Sequence, residues 1–269
     1  MTTLRTVDVQ GSPVRVLDTG SGPSVLFLHG SGPGTTGAGA WSATARNLGA
    51  AWHVVAPDQA GFGATPLPPG SRGGLRAWVE QAAALMEALS VETYAVVGHS
   101  MGGAVALALA AAYPDRVTHV VAVSTMGAPG AGLSVDLDAL WAAPPGRAGA
   151  RDMLRRLLHD QSLVTDSAVR DRAEAMEAGA TAFAPIFPAP RERWVDDLTL
   201  PASTLALVGA PVLLVHGAQD RVTPLRTAAL PLLQCVEDVR LHVLGRCGHV
   251  PAVEHPECFR RLLTAFLEA

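Results

Sequence analysis

Tyr94-Ala95-Val96-Val97-Gly98-His99-Ser100-Met101-Gly102-Gly103 is the stretch from which the rest of the chain is read. Four residues of buried-strand character run into Gly-x-Ser-x-Gly, and a segment rich in Ala and Leu follows. A serine on a sharp turn between strand and helix sits in a strained backbone conformation, and its neighbours must lack side chains for the two elements to approach. The helix beginning just beyond it points backbone N–H groups at developing negative charge. Ser100 is therefore the candidate nucleophile. Gly and Ser are common in turns, so the bare motif is weak, and its force comes from the strand before it and the helix after it.

Upstream, the apolar run Ser24–Leu28 ends in His29-Gly30-Ser31-Gly32-Pro33-Gly34. A loop directly after the first buried strand supplies one backbone donor to an oxyanion, and the residue after the nucleophile supplies the other. These donors are assigned to the backbones of Ser31 and Met101, against the plainer reading of a Gly/Pro turn. Downstream, Val212–Val215 leads through His216-Gly217-Ala218-Gln219 to Asp220, and Leu241–Leu244 leads through Gly245-Arg246-Cys247-Gly248 to His249. The order Ser, Asp, His along the chain makes His249 the general base and Asp220 the acid that fixes its tautomer.

Other candidates have plainer readings. Asp58 is a structural turn residue, and Asp238 precedes its strand and falls at the opposite edge. His216 and His242 read as core histidines, His255 begins the last helix, and Cys247 is a packing residue. A metal cluster of His29, His99 and His249 lacks ligand spacing, so no metal is expected.

Further out, Thr6–Asp18 alternates around a turn at Gly11-Ser12-Pro13, and short apolar runs recur at Trp52–Ala56 and His119–Val123. Helical patterns lie between them at Leu75–Leu89, Met101–Tyr113 and Glu257–Leu267. Alternating strands and helices predict a mostly parallel, eight-stranded sheet buried on both faces. The interval 130–201 breaks the alternation with Arg-rich amphipathic segments, Asp152–His159 and Ala168–Ala178, and a Pro-rich stretch, Phe183–Pro190. It is read as a helical cap inserted into a core of 1–129 and 202–269, over the carboxyl ends of the strands.

Composition excludes several classes. The 269 residues are 16% charged and 49% hydrophobic, which suits a well-buried α/β domain, and a net charge of -4 gives no nucleic-acid footprint. All 20 basic residues are Arg, so lysine Schiff-base chemistry and the phosphate-loop lysine are both absent. Three cysteines without ligand spacing, and no secretory or membrane-spanning apolar run, lead to the expectation of a cytoplasmic protein with no membrane partner.

Taken with Ala56-Pro57-Asp58 to Gly63 and Tyr113-Pro114-Asp115-Arg116-Val117, these motifs resemble the meta-cleavage product hydrolases. Within the cap, Leu137-Asp138-Ala139-Leu140-Trp141, Ser162-Leu163-Val164-Thr165-Asp166 and Phe187-Pro188-Ala189-Pro190-Arg191-Glu192-Arg193-Trp194-Val195 resemble the 2-hydroxymuconate-semialdehyde hydrolase branch. The resemblance implies an α/β-hydrolase fold and cleavage of a carbon–carbon bond in a small diketone-like acid, with no cofactor. It implies substrate contacts at Gly32, His99, Val250 and Trp194. Dimers are common among such relatives, and a homodimer is carried as the assembly expectation without an interface signal. Three positions depart from the pattern. His99 replaces the usual Asn, as a polar contact or as a filler, and Val250 replaces the usual Trp. The cap arginine that holds the substrate's carboxylate end is expected near Met176 to Gly179, where Glu177 stands. Arg172 or Arg191 would substitute only through local refolding of the cap. An esterase, lactonase or thioesterase on the same scaffold is the alternative function. A non-catalytic small-ligand receptor and a cofactor-free lyase or acyltransferase are the more distant ones.

Overall fold

The computed structural model describes residues 3–68 and 70–269. The chain opens with a hairpin of β1 (Thr3–Val9) and β2 (Ser12–Thr19), followed by β3 (Ser24–Leu28), α1 (Gly37–Leu48), β4 (His53–Pro57) and α2 (Leu75–Ala88). Next come β5 (Tyr94–His99), α3 (Met101–Ala112) and β6 (Val117–Val123). Five helices then intervene: α4 (Val135–Trp141), α5 (Arg147–Leu157), α6 (Asp166–Phe183), α7 (Glu192–Leu198) and α8 (Ala202–Leu205). The chain returns to the sheet with β7 (Val212–Gly217), α9 (Leu225–Ala228), β8 (Val239–Leu244), α10 (Pro251–Glu254) and α11 (Pro256–Leu267).

The hairpin turn is Gln10-Gly11 and not the expected Gly11-Ser12-Pro13. Both turn residues have positive φ, 54° and 83°, which suits a two-residue connection whose twist matches the strands. Ser12 and Pro13 are thereby released into β2, where they pair with Val9 and Asp8.

The eight strands form one sheet in the order β1-β2-β4-β3-β5-β6-β7-β8. β1 with β2 and β2 with β4 pair antiparallel, and every other pairing is parallel. Alternation along the strands divides the interior into two cores. Leu26, Leu28, Val96 and Leu214 face one with α2 and α3, whereas Val25, Phe27, Val97 and Val215 face the other with α1 and α11. Full burial of each such side chain contributes roughly 1.5–3 kcal/mol, which makes the central strands the rigid part of the molecule. Helix α3 is buried from Met101 to Ala110 and carries no charged residue, as a helix apolar all round must be.

This arrangement sets the carboxyl ends of the strands level. Leu28 pairs with Gly98, His99 with Val123, Val123 with Val215, and Gly217 with Leu244. The segments leaving β3, β5, β7 and β8 therefore emerge side by side. Residues of α4, α5 and α6 join them in lining one cavity. The inserted helices are fixed to the rest through aromatic packing. The Phe187 ring lies 4.3 Å from Trp141 in a stacked pair, and it also meets Phe62, Trp78, Phe183 and Trp194.

Candidate active site

The turn at the end of β5 is built as its glycines require. Ser100 has φ 55° and ψ -117°, outside the common regions for a residue with a side chain. A β-carbon at Gly98 would collide with the Gly102 carbonyl, and one at Gly102 would collide with that of Leu28. Strand and helix can approach only because both positions are glycine. The strained residue is held from both sides: its N–H donates to Val123 O at 2.9 Å and its carbonyl accepts from Met126 N at 3.0 Å. A left-handed serine costs on the order of 1–3 kcal/mol and persists only when overdetermined in this way.

Asp220 and His249 meet from the adjacent ends of β7 and β8. His249 Nδ1 lies 2.8 Å from Asp220 Oδ2, with both side chains buried. A carboxylate only accepts, so Nδ1 carries the proton and Nε2 is left free to take one. Asp220 is held in turn by the N–H groups of Val222 and Thr223 on Oδ1, at 2.9 and 3.0 Å, and by the Thr223 hydroxyl on Oδ2 at 2.9 Å. Burial would raise its pKa, but the charge of and hydrogen bond from His249, with His216 and the Thr223 N–H, outweigh that and bring it down to about 2. Asp220 stays ionised. Ser100 and His249 both line the cavity.

The loop after β3 is fixed by His29. Its Nε2 accepts from Gln59 N at 3.0 Å, which places the ring proton on Nδ1, and Nδ1 donates to Gly30 O at 2.8 Å. Burial lowers its pKa and keeps it neutral. Gly30, Ser31 and Gly32 then face the cavity, and Met101 is the first residue of α3, whose leading N–H groups have no partner within the helix. His99 Nε2 donates to the His249 carbonyl at 2.8 Å. Desolvation and the neighbouring His249 charge push its pKa down to about 3, so it is a neutral group with its proton on Nε2.

The cavity encloses about 760 Å³. Leu137, Leu140, Met153, Leu154, Leu157, Val222 and Val250 make an apolar wall, and Arg172 stands in the lining among the small residues of α6. Its guanidinium donates to Pro33 O at 3.3 Å, and burial lowers its pKa from the ordinary arginine value.

Two expectations about substrate contacts are corrected. Arg172 lines the cavity from an unbroken α6, with no local refolding. Ala168, Arg172, Ala175 and Gly179 recur at helical spacing on the face toward the cavity, and this stripe excludes Glu177, which is exposed. Arg191 is engaged with Asp138 at 3.0 Å. Trp194 is not in the cavity lining; its Nε1 donates to Pro188 O at 3.0 Å within the aromatic packing around Phe187. Gly32, His99 and Val250 do line the cavity. Of the histidines read as core, His216 is buried, donating Nε2 to Thr223 O at 2.7 Å, but His242 is half-exposed because β8 is the edge strand. Asp58 is a turn residue, accepting from Gly37 N and Ala64 N.

Thr223 and Trp141 were missed. Thr223 lies three residues beyond Asp220, a spacing at which a hydroxyl can reach back to the carboxylate. Trp141 donates Nε1 to the Ser31 hydroxyl at 2.8 Å from α4, a contact across 110 residues that no local pattern announces.

Comparison with known proteins agrees with this fold. Residues 25–259 match the model of the alpha/beta hydrolase family. The chain is 39% identical to a 2-hydroxy-6-oxo-2,4-heptadienoate hydrolase of Pseudomonas putida, over 98% of this chain and 96% of that one. It is 35% identical to a 2-hydroxymuconate semialdehyde hydrolase of a Pseudomonas species, over 98% and 93%. Among solved structures, a meta-cleavage product hydrolase from Pseudomonas fluorescens, a serine-to-alanine mutant complexed with acetates, superposes with a TM-score of 0.94 at 33% identity, covering 98% of this chain and 97% of that one.

Proposed function

The chain belongs to the alpha/beta hydrolase family, and from that footing we propose that it hydrolyses a carbon–carbon bond in a small, acidic, diketone-like substrate of the meta-cleavage type. In this reading, 130–201 is a cap over a core formed by 1–129 and 202–269. The observation that carries the substrate class is Arg172. Arg172 lines a mostly apolar cavity together with Leu, Met and Val side chains, Arg15 being the other arginine in the lining, and this suits a molecule with a carboxylate at one end and an apolar substituent at the other. His99, Gly32 and Val250 are taken as further substrate contacts.

The dienol substrate is first ketonised by moving its enol proton to carbon, so that the fragment can later depart as a resonance-stabilised carbanion. Ser100 Oγ attacks the distal carbonyl and passes its proton to His249 Nε2, while Asp220 stabilises the imidazolium. The carbonyl oxygen takes up negative charge facing the N–H groups of Ser31 and Met101. Collapse breaks the carbon–carbon bond, and the carbanion takes the proton from His249. Water, activated by the same histidine, then releases the acyl group from Ser100.

The deciding experiment sets a chromophoric ring-fission product against p-nitrophenyl esters. Rapid loss of the ring-fission chromophore with slow ester turnover is expected. Efficient ester hydrolysis with no attack on the ring-fission product would instead make the chain an esterase, lactonase or thioesterase. The unpaired Cys235, Cys247 and Cys258 are in keeping with a cytoplasmic setting.

A further inference from the structure

Glu254 lies outside the cavity lining, at the end of α10, and its carboxylate gathers backbone donors from two separate parts of the chain. Oε1 accepts from Gly248 N at 2.6 Å, beside the candidate base. Oε2 accepts from His159 N at 2.7 Å and Asp160 N at 2.8 Å, in the segment that leaves α5. One charged acceptor thus joins the loop carrying His249 to the inserted helices. The two also touch directly: His249 N donates to Leu157 O at 2.7 Å, and a β-carbon at Gly248 would lie 2.5 Å from that carbonyl oxygen and 2.8 Å from His159 N. On its other side the loop is tied to β7's exit by Cys247 N to Gln219 Oε1 at 3.0 Å and Gln219 N to Cys247 O at 2.9 Å. The His249 backbone is therefore fixed between the acid's loop and the end of α5.

We propose that Glu254 is a positioning residue that couples the end of α5 to His249, so that the placement of the inserted helices sets the placement of the base. The proposal rests on the reading of His249 as the base. Its physical content is that a carboxylate shared by three backbone N–H groups holds both partners in one geometry, and charge-assisted bonds are about twice as strong as neutral ones. An amide in its place offers one acceptor oxygen and turns an NH₂ group toward the remaining donors.

The test uses the full-length protein with two substitutions away from the cavity. Glu254→Gln keeps the side-chain shape. Asp160→Pro removes a single N–H donor at a residue whose φ of -77° proline accepts, with Asp160→Ala as the reference that retains the N–H. Turnover of the ring-fission product and amide hydrogen exchange are the readouts. Glu254→Gln is expected to lower kcat about tenfold with KM within about twofold, the scale of losing a hydrogen bond to a charged group. Exchange should quicken both at Gly248–His249 and at Leu158–Asp160. Asp160→Pro should have a lower kcat than Asp160→Ala. Parental kcat in Glu254→Gln, or exchange that rises only on the α5 side, or identical kcat in the two Asp160 variants, overturns the coupling. His249→Ala separates this from the underlying assignment: if that variant turns over normally, the base is wrong, whatever Glu254 does.

Discussion

The indole Nε1 of Trp141 donates to the hydroxyl of Ser31 across 2.8 Å, joining α4 to the loop that leaves β3. An indole N–H only donates, so it occupies a lone pair of the hydroxyl and leaves the hydroxyl proton free to turn elsewhere. Trp141→Phe keeps the ring that stacks on Phe187 but removes the donor. Activity on the ring-fission product should fall about fivefold, the size of one neutral hydrogen bond, with little change in the thermal midpoint.

The Asp220–His249 pair leads to a larger effect. Asp220→Asn presents an amide where a carboxylate now accepts the Nδ1 proton, which favours the wrong imidazole tautomer. A loss of kcat on the order of 10⁴ is expected, with circular dichroism unchanged. Ser100→Ala should additionally abolish labelling by a fluorophosphonate, and labelling that persists in that variant would place the nucleophile elsewhere.

Arg172 makes a prediction that divides substrates by charge. In Arg172→Leu the KM for an acidic ring-fission product should rise on the order of a hundredfold, because a partly desolvated carboxylate loses its ionic partner. Hydrolysis of neutral p-nitrophenyl esters by the same variant should change little. Equal losses on both substrates would remove Arg172 from carboxylate recognition.

Stability should decline on the acid side in two stages. His99 has its pKa lowered from 6.5 to about 3, so between those values the unfolded chain binds a proton that the folded chain refuses. Stability present above pH 6.5 is therefore lost as the pH falls toward about 3. Asp220, lowered from 3.8 to about 2, adds a second loss as the pH falls through that lower window. Urea midpoints for the parent and His99→Asn at pH 7, 5 and 4 check the first stage: the variant should show the shallower decline, and parallel curves would argue against a neutral His99. His29 and His216, lowered mainly by burial, keep the slope from vanishing.

The parts of the molecule that could be read in advance are those whose chemistry is local. Glycines that permit a close approach, apolar runs of strand length, and side chains one loop beyond a strand end are written in neighbouring residues. Thus β5, the turn at Ser100 and the exits of β7 and β8 were legible. The inserted helices were legible as helices but not in phase. The family's cap arginine was expected near Met176 to Gly179, where this chain has none, and the sequence did not show that Arg172 shares the cavity face of α6 with Ala168, Ala175 and Gly179, because that face is set by packing against the rest of the chain. Trp194 was misplaced for a related reason: an aromatic residue in the insertion has both a cavity and an aromatic core to join, and its sequence neighbours do not distinguish them. Trp141 and Glu254 act through contacts with hydroxyl or backbone groups far along the chain that only folding brings near, whereas Thr223 sits three residues from Asp220 at a spacing the sequence did offer.

The packing around Phe187 gives the molecule an internal optical reporter. Of its five tryptophans, Trp78 belongs to α2, Trp141 to α4 and Trp194 to α7, and all three rings meet that one phenylalanine. Displacement of the inserted helices would change the polarity and stacking felt by several indoles at once, and a ligand that disturbs Ser31 would reach Trp141 through its hydrogen bond. Native emission, recorded without any added dye, should therefore change when a ligand enters the cavity or when the helices packed around Phe187 shift.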